Sequence, residues 1–349
     1  MAHFLVIGGA GYIGSHTVLE LQRQKHHVTV LDNLITGHRQ ALTDCDFIRG
    51  DLGDATLLNR IFSEQAIDCV MHFAAFSLVG ESVSDPLKYY DNNTGATICL
   101  LRAMQQHGVN RFILSSTAAV YGEPKEIPIP ETAATAPTNP YGRSKRFVEK
   151  ILHDMEAACG VRYVSLRYFN AAGADGSGCI GEDHAPETHL IPLVLQVALG
   201  KRAAIDVYGT DWNTPDGTCL RDYVHVTDLA SAHILAAQHL LNGGTSRIYN
   251  LGCQQGVSVK EVIRLARKVT GCDIPVHEAP RRSGDPERLV AASNAIRSDL
   301  GWVPAFEDPE VIISTAWRWH RKHPQGYRNR KRTTQHAEKL TDLNQTGAF

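Results

Sequence analysis

Seven residues near the start of the chain, Gly8-Gly-Ala-Gly11-Tyr-Ile-Gly14, restrict what it can fold into more than any other segment. An apolar run at residues 4–7 precedes them and a helical pattern at 13–24 follows. A glycine turn in this position removes the side chains that would hold a pyrophosphate away from the backbone. The helix start beyond it offers unpaired N–H groups and the positive end of a dipole. Gly8, Gly11 and Gly14 are therefore read as an anion-binding turn between a buried strand and the helix it feeds. The same three glycines could serve a tight turn and close helix packing alone, so what surrounds them decides.

Further apolar runs at 28–31, 47–48, 69–73, 111–114 and 163–166 alternate with longer amphipathic segments. This rhythm predicts an α/β fold with a Rossmann-type, doubly wound parallel sheet. After residue 172 the pattern loosens into Gly-, Asp- and Pro-rich stretches at 173–187 and 209–217, which suit loops around a site. A helix at 224–240 and a strand at 248–251 are expected to rejoin the sheet. The predicted division is a dinucleotide-binding domain of 1–171 plus about 222–254, and a smaller α/β substrate domain of about 172–221 plus 255–324. Residues 325–349 are polar, carry the cluster Arg328-Asn-Arg-Lys-Arg332, and read as a flexible tail.

Composition narrows the partners. Thirty-five basic residues against 37 acidic ones create no field that would gather nucleic acid or an anionic membrane. No stretch of 18 apolar residues and no signal-peptide pattern are found, so neither a membrane span nor secretion is expected. The eight cysteines are scattered, with no C-x-x-C pair and no His grouping at metal-ligand spacing. Reduced, buried cysteines, a cytoplasmic location and no metal are the expectation.

Asp32 closes the second strand, where a carboxylate can accept hydrogen bonds from an adenosine ribose and repel a 2′-phosphate. That favours NAD over NADP, with the nearby Arg39 as the one contrary sign; as a plain strand-end turn beside Asn33, Asp32 would need no ligand. Asp51-Leu52, after the third strand, could face the adenine. Downstream, Ser115-Ser-Thr117 follows an apolar strand. Tyr141-Gly-Arg-Ser-Lys145 then opens a helix whose apolar positions Phe147, Val148, Ile151, Leu152 and Met155 keep helical spacing. Tyr141 and Lys145 fall on one helix face. An ammonium beside a phenol, with a positive nicotinamide near, would lower the phenol's pKa from about 10 and make it a general base. Alone, a Y-x-x-x-K pair is usually two half-exposed helix residues; the upstream dinucleotide turn and the strand-end hydroxyl decide for catalysis.

With these motifs on the page, residues 3–324 resemble the extended short-chain dehydrogenase/reductase family, and within it the UDP-glucose 4-epimerases. The more specific marks are Val79-Gly-Glu-Ser82, Tyr89-Tyr-Asp-Asn-Asn93, Leu166-Arg-Tyr-Phe-Asn-Ala-Ala-Gly173, Gly181-Glu-Asp183, Leu220-Arg-Asp-Tyr-Val-His-Val226 and Arg281-Arg-Ser-Gly-Asp285. The resemblance implies an isomerase that interconverts UDP-glucose and UDP-galactose in galactose metabolism, through a 4-keto sugar and transient reduction of bound NAD. It makes Tyr141 the acid and base at sugar O4, Thr117 a hydrogen-bond partner of O4, and Lys145 the group that tunes Tyr141 and holds the nicotinamide ribose. Thr117 stands where many epimerases have Ser, and keeps the hydroxyl.

The resemblance also implies that Gly8, Gly11, Tyr12, Ile13, Gly14, Asp32, Asn33, Asp51, Leu52, Phe73, Ala74, Ala75, Ser77, Asn92 and Phe169 surround NAD together with Tyr141 and Lys145. Ser77 departs from a common Lys, which bears on cofactor affinity. Asn170, His189, Leu190, Tyr208, Arg221, Arg282 and Asp285 are implied to hold the UDP-hexose with Thr117 and Tyr141; His189 replaces a common Asn. Paired arginines suit a diphosphate because their planar forks bind oxygens bidentately; the bland reading of Arg221 and Arg282 is a surface or interdomain salt bridge. A homodimer is implied through helices near 87–107 and 141–159. Ala118 and Ala119 follow Thr117 where nucleotide-sugar 4,6-dehydratases carry an acid and a base, so elimination lacks its catalysts. A binding protein on this fold would be expected to lose Tyr141 or Lys145, and both are present.

Overall fold

The computed structural model describes residues 1–282 and 284–329. Six strands come first: β1 (His3–Ile7), β2 (His27–Asp32), β3 (Asp46–Arg49), β4 (Cys69–His72), β5 (Arg111–Thr117) and β6 (Arg162–Tyr168). Helices α1 (Tyr12–Arg23), α2 (Ala55–Glu64), α3 (Val79–Ser84), α4 (Pro86–Tyr89), α5 (Ala96–Gln106) and α6 (Pro140–Cys159) lie between them. Then follow β7 (Asn170–Ala172), α7 (Leu190–Ala198), β8 (Ile205–Tyr208), β9 (Leu220–Arg221), β10 (Tyr223–His225), α8 (Val226–Leu241) and β11 (Arg247–Leu251). The described chain closes with β12 (Val257–Ser258), α9 (Val259–Thr270), β13 (Val276–Ala279), β14 (Arg288–Leu289), α10 (Asn294–Leu300), α11 (Pro309–Lys322) and a short 3₁₀ turn at Gly326–Asn329.

The main sheet is parallel throughout, in the order β11-β6-β5-β4-β1-β2-β3. Side-chain alternation explains why it is wound on both faces. Phe4 and Val6 of β1 join one core with Val18 and Leu21 of α1 and Leu229 and Ala232 of α8. Leu5 and Ile7 join the other with Leu58 of α2, Leu100 of α5 and Val148 and Leu152 of α6. Each such side chain contributes roughly 1.5–3 kcal/mol when fully buried. Strands are added outward in opposite directions from β1 and β4, and at such a switch point the strand ends leave a crevice for a ligand. Smaller sheets stand beyond it: β10 with β7, β12 with β9 and β14, and β13 with β8. A third core, including Ile191, Leu195, Val262 and Ile312, packs α7, α9 and α11 together.

The chain does not leave the fold at residue 325, as its polarity suggests. Tyr327 is 2% exposed; its hydroxyl accepts from the Gly181 amide and donates to the Gly181 carbonyl, at 3.0 and 3.1 Å. One aromatic residue in a polar stretch suffices to dock the last turn. Positions 330–349, with Arg330, Lys331 and Arg332 of the basic cluster, lie outside the described residues.

One buried network seats α6 on the sheet. Glu149 is fully covered; it accepts two hydrogen bonds from Arg167 of β6, at 2.8 and 2.7 Å, and one from Ser116 of β5 at 2.7 Å. Arg167 also donates to the Tyr121 hydroxyl, which donates to Asn250 of β11. Arg146 also donates to Glu149, at 3.1 Å, so Arg167→Leu leaves the buried carboxylate one guanidinium in place of two and is expected to lower stability by about 3 kcal/mol, the lower end of the range for breaking a buried pair. Urea denaturation measures this, and a loss under about 1 kcal/mol would show that the pair does not seat the helix.

Candidate functional site

The glycine turn is shaped for close approach. Gly8 has φ +75°, and a Cβ there would lie 2.5 Å from the Ala74 nitrogen, beyond β4. A Cβ on Gly14 would lie 2.4 Å from the Gly8 carbonyl. A Cβ on Gly11 would meet only the Gly8 carbonyl, at 3.3 Å. Gly11 is the N-cap of α1 and brings no side-chain cap, so the helix's first N–H groups keep their capacity for an anion. The Tyr12 side chain turns away, its hydroxyl donating to the Gly173 carbonyl at 2.7 Å. Ile13 packs on the core beneath. Donors without a cap and a cradle that Cβ atoms would fill fit a dinucleotide pyrophosphate.

Asp32 is 8% exposed. One oxygen accepts from the Ala10 amide at 2.9 Å and the other from the Leu34 amide at 2.8 Å. The carboxylate thus shapes the glycine turn and has lone pairs left for ribose hydroxyls. Burial raises its pKa, and the two amide bonds oppose that. Asn33 donates to Asp51 at 2.9 Å, Leu52 is buried beneath them, and Arg39 is drawn off to the Leu42 carbonyl and the Phe47 ring. Past β4, Phe73, Ala74 and Ala75 are half-buried and Ser77 is exposed; Phe73 packs on His233. Asn92 donates to Asn93 at 2.9 Å. Phe169 lies further along, against the Ala118, Val120 and Tyr121 cluster.

Three residues to which the sequence reading gave no role of their own prove to be organisers. Asn93, in a π-helical turn between α4 and α5, accepts from the Phe76 amide and donates to the Phe76 carbonyl and the Ser144 hydroxyl. It ties the segment after β4 to the catalytic helix, and π turns of this kind recur at functional sites. Ser115 offers its carbonyl to Lys145 at 2.9 Å. Glu149 stands one turn beyond Lys145 and anchors the same face. Only a helix-spacing argument from Lys145 could have pointed to Glu149.

At the end of β5 the Thr117 side chain lies beside the Tyr141 hydroxyl, close enough to lower its pKa, and accepts from the Ala119 amide at 3.1 Å. Asn139 caps α6 and Pro140 starts it, which aims Tyr141 back over the strand ends. Lys145 is 3% exposed, and burial lowers its pKa to about 8 while Glu149 acts the other way. Burial raises the Tyr141 phenol, and Thr117 lowers it. The sequence reading places the ammonium at the phenol; Lys145 is held instead by the Ser115 carbonyl, two residues before Thr117 on β5.

The residues predicted for the nucleotide sugar form two groups. Tyr208 ends β8, with the Arg282 guanidinium 4.7 Å from its ring centroid, and Arg282 donates to Asp285 at 2.9 Å. Arg221, on β9, donates to the Leu220 carbonyl at 2.8 Å. The Arg282–Asp285 pair is exposed enough to be worth only about 0–1 kcal/mol, and it can yield to a ligand. Asn170 joins β7 to β10, its amide donating to the Asp222 carbonyl. Leu190 begins α7. His189, its N-cap, is turned into another set: the His189 and Glu182 side chains are hydrogen-bonded, and His184 and Glu187 stand beside them. No metal site was expected, yet ligand-type atoms of these four residues lie within 4.8 Å of one another. Their E-x-H-x-x-E-x-H spacing matches no helix or strand period, and only the loop's path brings them together.

The NAD dependent epimerase/dehydratase family model matches residues 4–252. A UDP-glucose 4-epimerase of Halalkalibacterium halodurans is 56% identical over 323 residues, covering 93% of this chain and 97% of that one. A crystal structure of a UDP-glucose 4-epimerase, 53% identical, superposes with a TM-score of 0.92 over 93% of this chain and 99% of that one. The Bifidobacterium longum UDP-glucose 4-epimerase, solved in complex with NAD+ and UDP, is 41% identical with a TM-score of 0.89, again over 93% and 99%. The chain therefore belongs to the NAD dependent epimerase/dehydratase family, and within it to the UDP-glucose 4-epimerases.

Proposed function

We infer that this protein interconverts UDP-glucose and UDP-galactose by inverting sugar C4, through a 4-keto intermediate and with transient reduction of bound NAD, in galactose metabolism. The observation that carries the reading is the placing of the Thr117 and Tyr141 hydroxyls together at the sheet's ligand edge, with buried Lys145 held by the Ser115 carbonyl behind them. The cofactor, when bound, accepts a hydride from C4 and returns it.

Gly8, Gly11 and Gly14 would admit the dinucleotide's phosphates, with Tyr12 and Ile13 offering amides and Asp32 a carboxylate to the adenosine ribose. Asn33, Asp51 and Leu52 stand at the adenine end, and Phe73, Ala74, Ala75, Ser77, Asn92 and Phe169 line the rest. Thr117 orients the sugar O4 and Tyr141 takes and returns its proton. Lys145 stabilises the phenolate as a cation. Tyr208, Arg221, Arg282 and Asp285, with Asn170 and Leu190, would hold the UDP portion while the hexose turns over, so binding energy far from C4 keeps the intermediate captive. Residues 172–221 and 255–324 form the nucleotide-sugar lobe in this reading. Ala118 and Ala119 offer no acid or base for a dehydratase.

The protein is proposed to act as a homodimer in the cytoplasm. Val83, Leu87 and Phe147 are 64%, 70% and 45% exposed on α3, α4 and α6, and apolar residues grouped in this way suit an interface. All eight cysteines are free, which suits a reducing compartment. Among the described residues no helix is long and apolar enough to cross a membrane.

Purified protein given UDP-galactose without added cofactor should form UDP-glucose, and release NAD when denatured. Tyr141→Phe should lower kcat by about 10²–10⁴-fold, the range for loss of a general base, with UDP affinity kept; undiminished turnover, or a 4-keto-6-deoxy product, would refute the assignment. Lys145→Met removes the cation that favours the phenolate. The acidic limb of its kcat profile should therefore move to higher pH, and an unmoved limb would separate Lys145 from Tyr141. Sedimentation should give twice the 38.3 kDa chain mass, with Leu87→Asp plus Phe147→Asp shifting it to the monomer; a monomeric parent protein would reject the interface.

A further inference from the structure

Glu182, His184, Glu187 and His189 take no part in the proposed redox chemistry, yet the loop between β7 and α7 folds to bring them together. His184 Nδ1 lies 3.3 Å from Glu182 Oε1 and 3.8 Å from Glu187 Oε2. His189 Nδ1 lies 2.5 Å from Glu182 Oε1 and 3.7 Å from Glu187 Oε1. The two carboxylates are shut away from water, their side chains 3% and 6% exposed, while both imidazoles reach the surface at 28% and 46%. The loop between them is held by its own backbone: the Thr188 and His189 amides donate to Glu187 Oε1.

We propose that Glu182, His184, Glu187 and His189 form a divalent transition-metal site, filled best by zinc. Tetrahedral zinc keeps nitrogen and oxygen ligands at about 2.0–2.2 Å, which sets ligand-to-ligand edges of about 3.3–3.6 Å. Three of the four measured separations are already close to that length. The fourth, His189 to Glu182, is a hydrogen bond whose proton the metal replaces, and it opens by about 1 Å to reach an edge. Two buried carboxylates need two positive charges nearby. One divalent cation on two neutral imidazoles supplies them with a single particle and leaves the site neutral. Two imidazoles with two carboxylates, and no thiolate, select zinc or a neighbouring first-row ion over calcium or magnesium.

The metal would be a clasp. Tyr12, at the start of α1, donates to Gly173 at the beginning of this loop and sets its ring edge against His184, with centroids 6.2 Å apart. A filled site fixes the loop between that contact and the first residue of α7, with His189 as a ligand rather than a substrate contact. The entry path is on the surface side, where the two histidines are partly exposed.

The test uses the full-length holoenzyme, treated with a chelator, dialysed, and titrated with zinc chloride. About one equivalent of zinc per chain should be retained by elemental analysis, and cobalt(II) should give the intense visible bands of a tetrahedral site. Zinc should raise the Tm. Glu187→Gln and His184→Gln should each weaken zinc binding by at least about 100-fold and abolish the Tm rise, while bound NAD and the near-ultraviolet spectrum stay as in the parent protein. Glu187→Gln is nearly isosteric and keeps the variant pair informative if the histidine change perturbs the loop. Retention well below one equivalent would overturn the proposal. Stoichiometric binding that survives both substitutions would also overturn it, since the free cysteines would then be the ligands.

Discussion

The Glu149–Arg167 ion pair is the constraint on which the site's geometry depends. It lies between α6 and β6, reaches β5 through Ser116, and extends to β11 through Tyr121 and Asn250. A charge pair without water has few arrangements of low energy, so it specifies the rotation and height of α6 over the sheet. Glu149 is one turn from Lys145, which is one turn from Tyr141. Fixing the first therefore aims the other two at the strand end where Thr117 stands.

The crevice has a different origin. It exists because strands are added outward in opposite directions from β1 and β4, and its floor is backbone because Gly8 and Gly14 have no room for a Cβ. Asp32 bonds both the turn and the chain after β2, so the carboxylate placed for a ribose also shapes the phosphate cradle. Asn93 closes the opposite wall by joining the segment after β4 to Ser144. These polar groups are buried with partners, which is the condition under which a polar network can hold a single shape.

Burial raises the Tyr141 phenol and lowers the Lys145 ammonium, each toward its neutral form. Both shifts share one cause, a dry pocket, and both reverse in direction when opposite charges enter it. The Tyr208 side is built otherwise: Arg282 and Asp285 form an ion pair near the surface, held far less firmly than the buried groups.

Much of the architecture was legible in the residues. Alternating apolar runs named all six early strands to within a few positions, and the glycine turn marked the junction between β1 and α1. The i, i+4 spacing put Tyr141 and Lys145 on one face of α6, because local periodicity is a property of consecutive residues. What local pattern could not carry was convergence. Asn93, Ser115 and Glu149 became organisers through contacts across the sheet, Tyr327 docked from a stretch that composition had marked as tail, and four ligand-type side chains met at a spacing with no period. Sequence determined which elements form and which chemistry they bring. Tertiary structure alone decided which side chains meet, because a loop's path and a buried charge pair are set by packing among residues far apart in the chain.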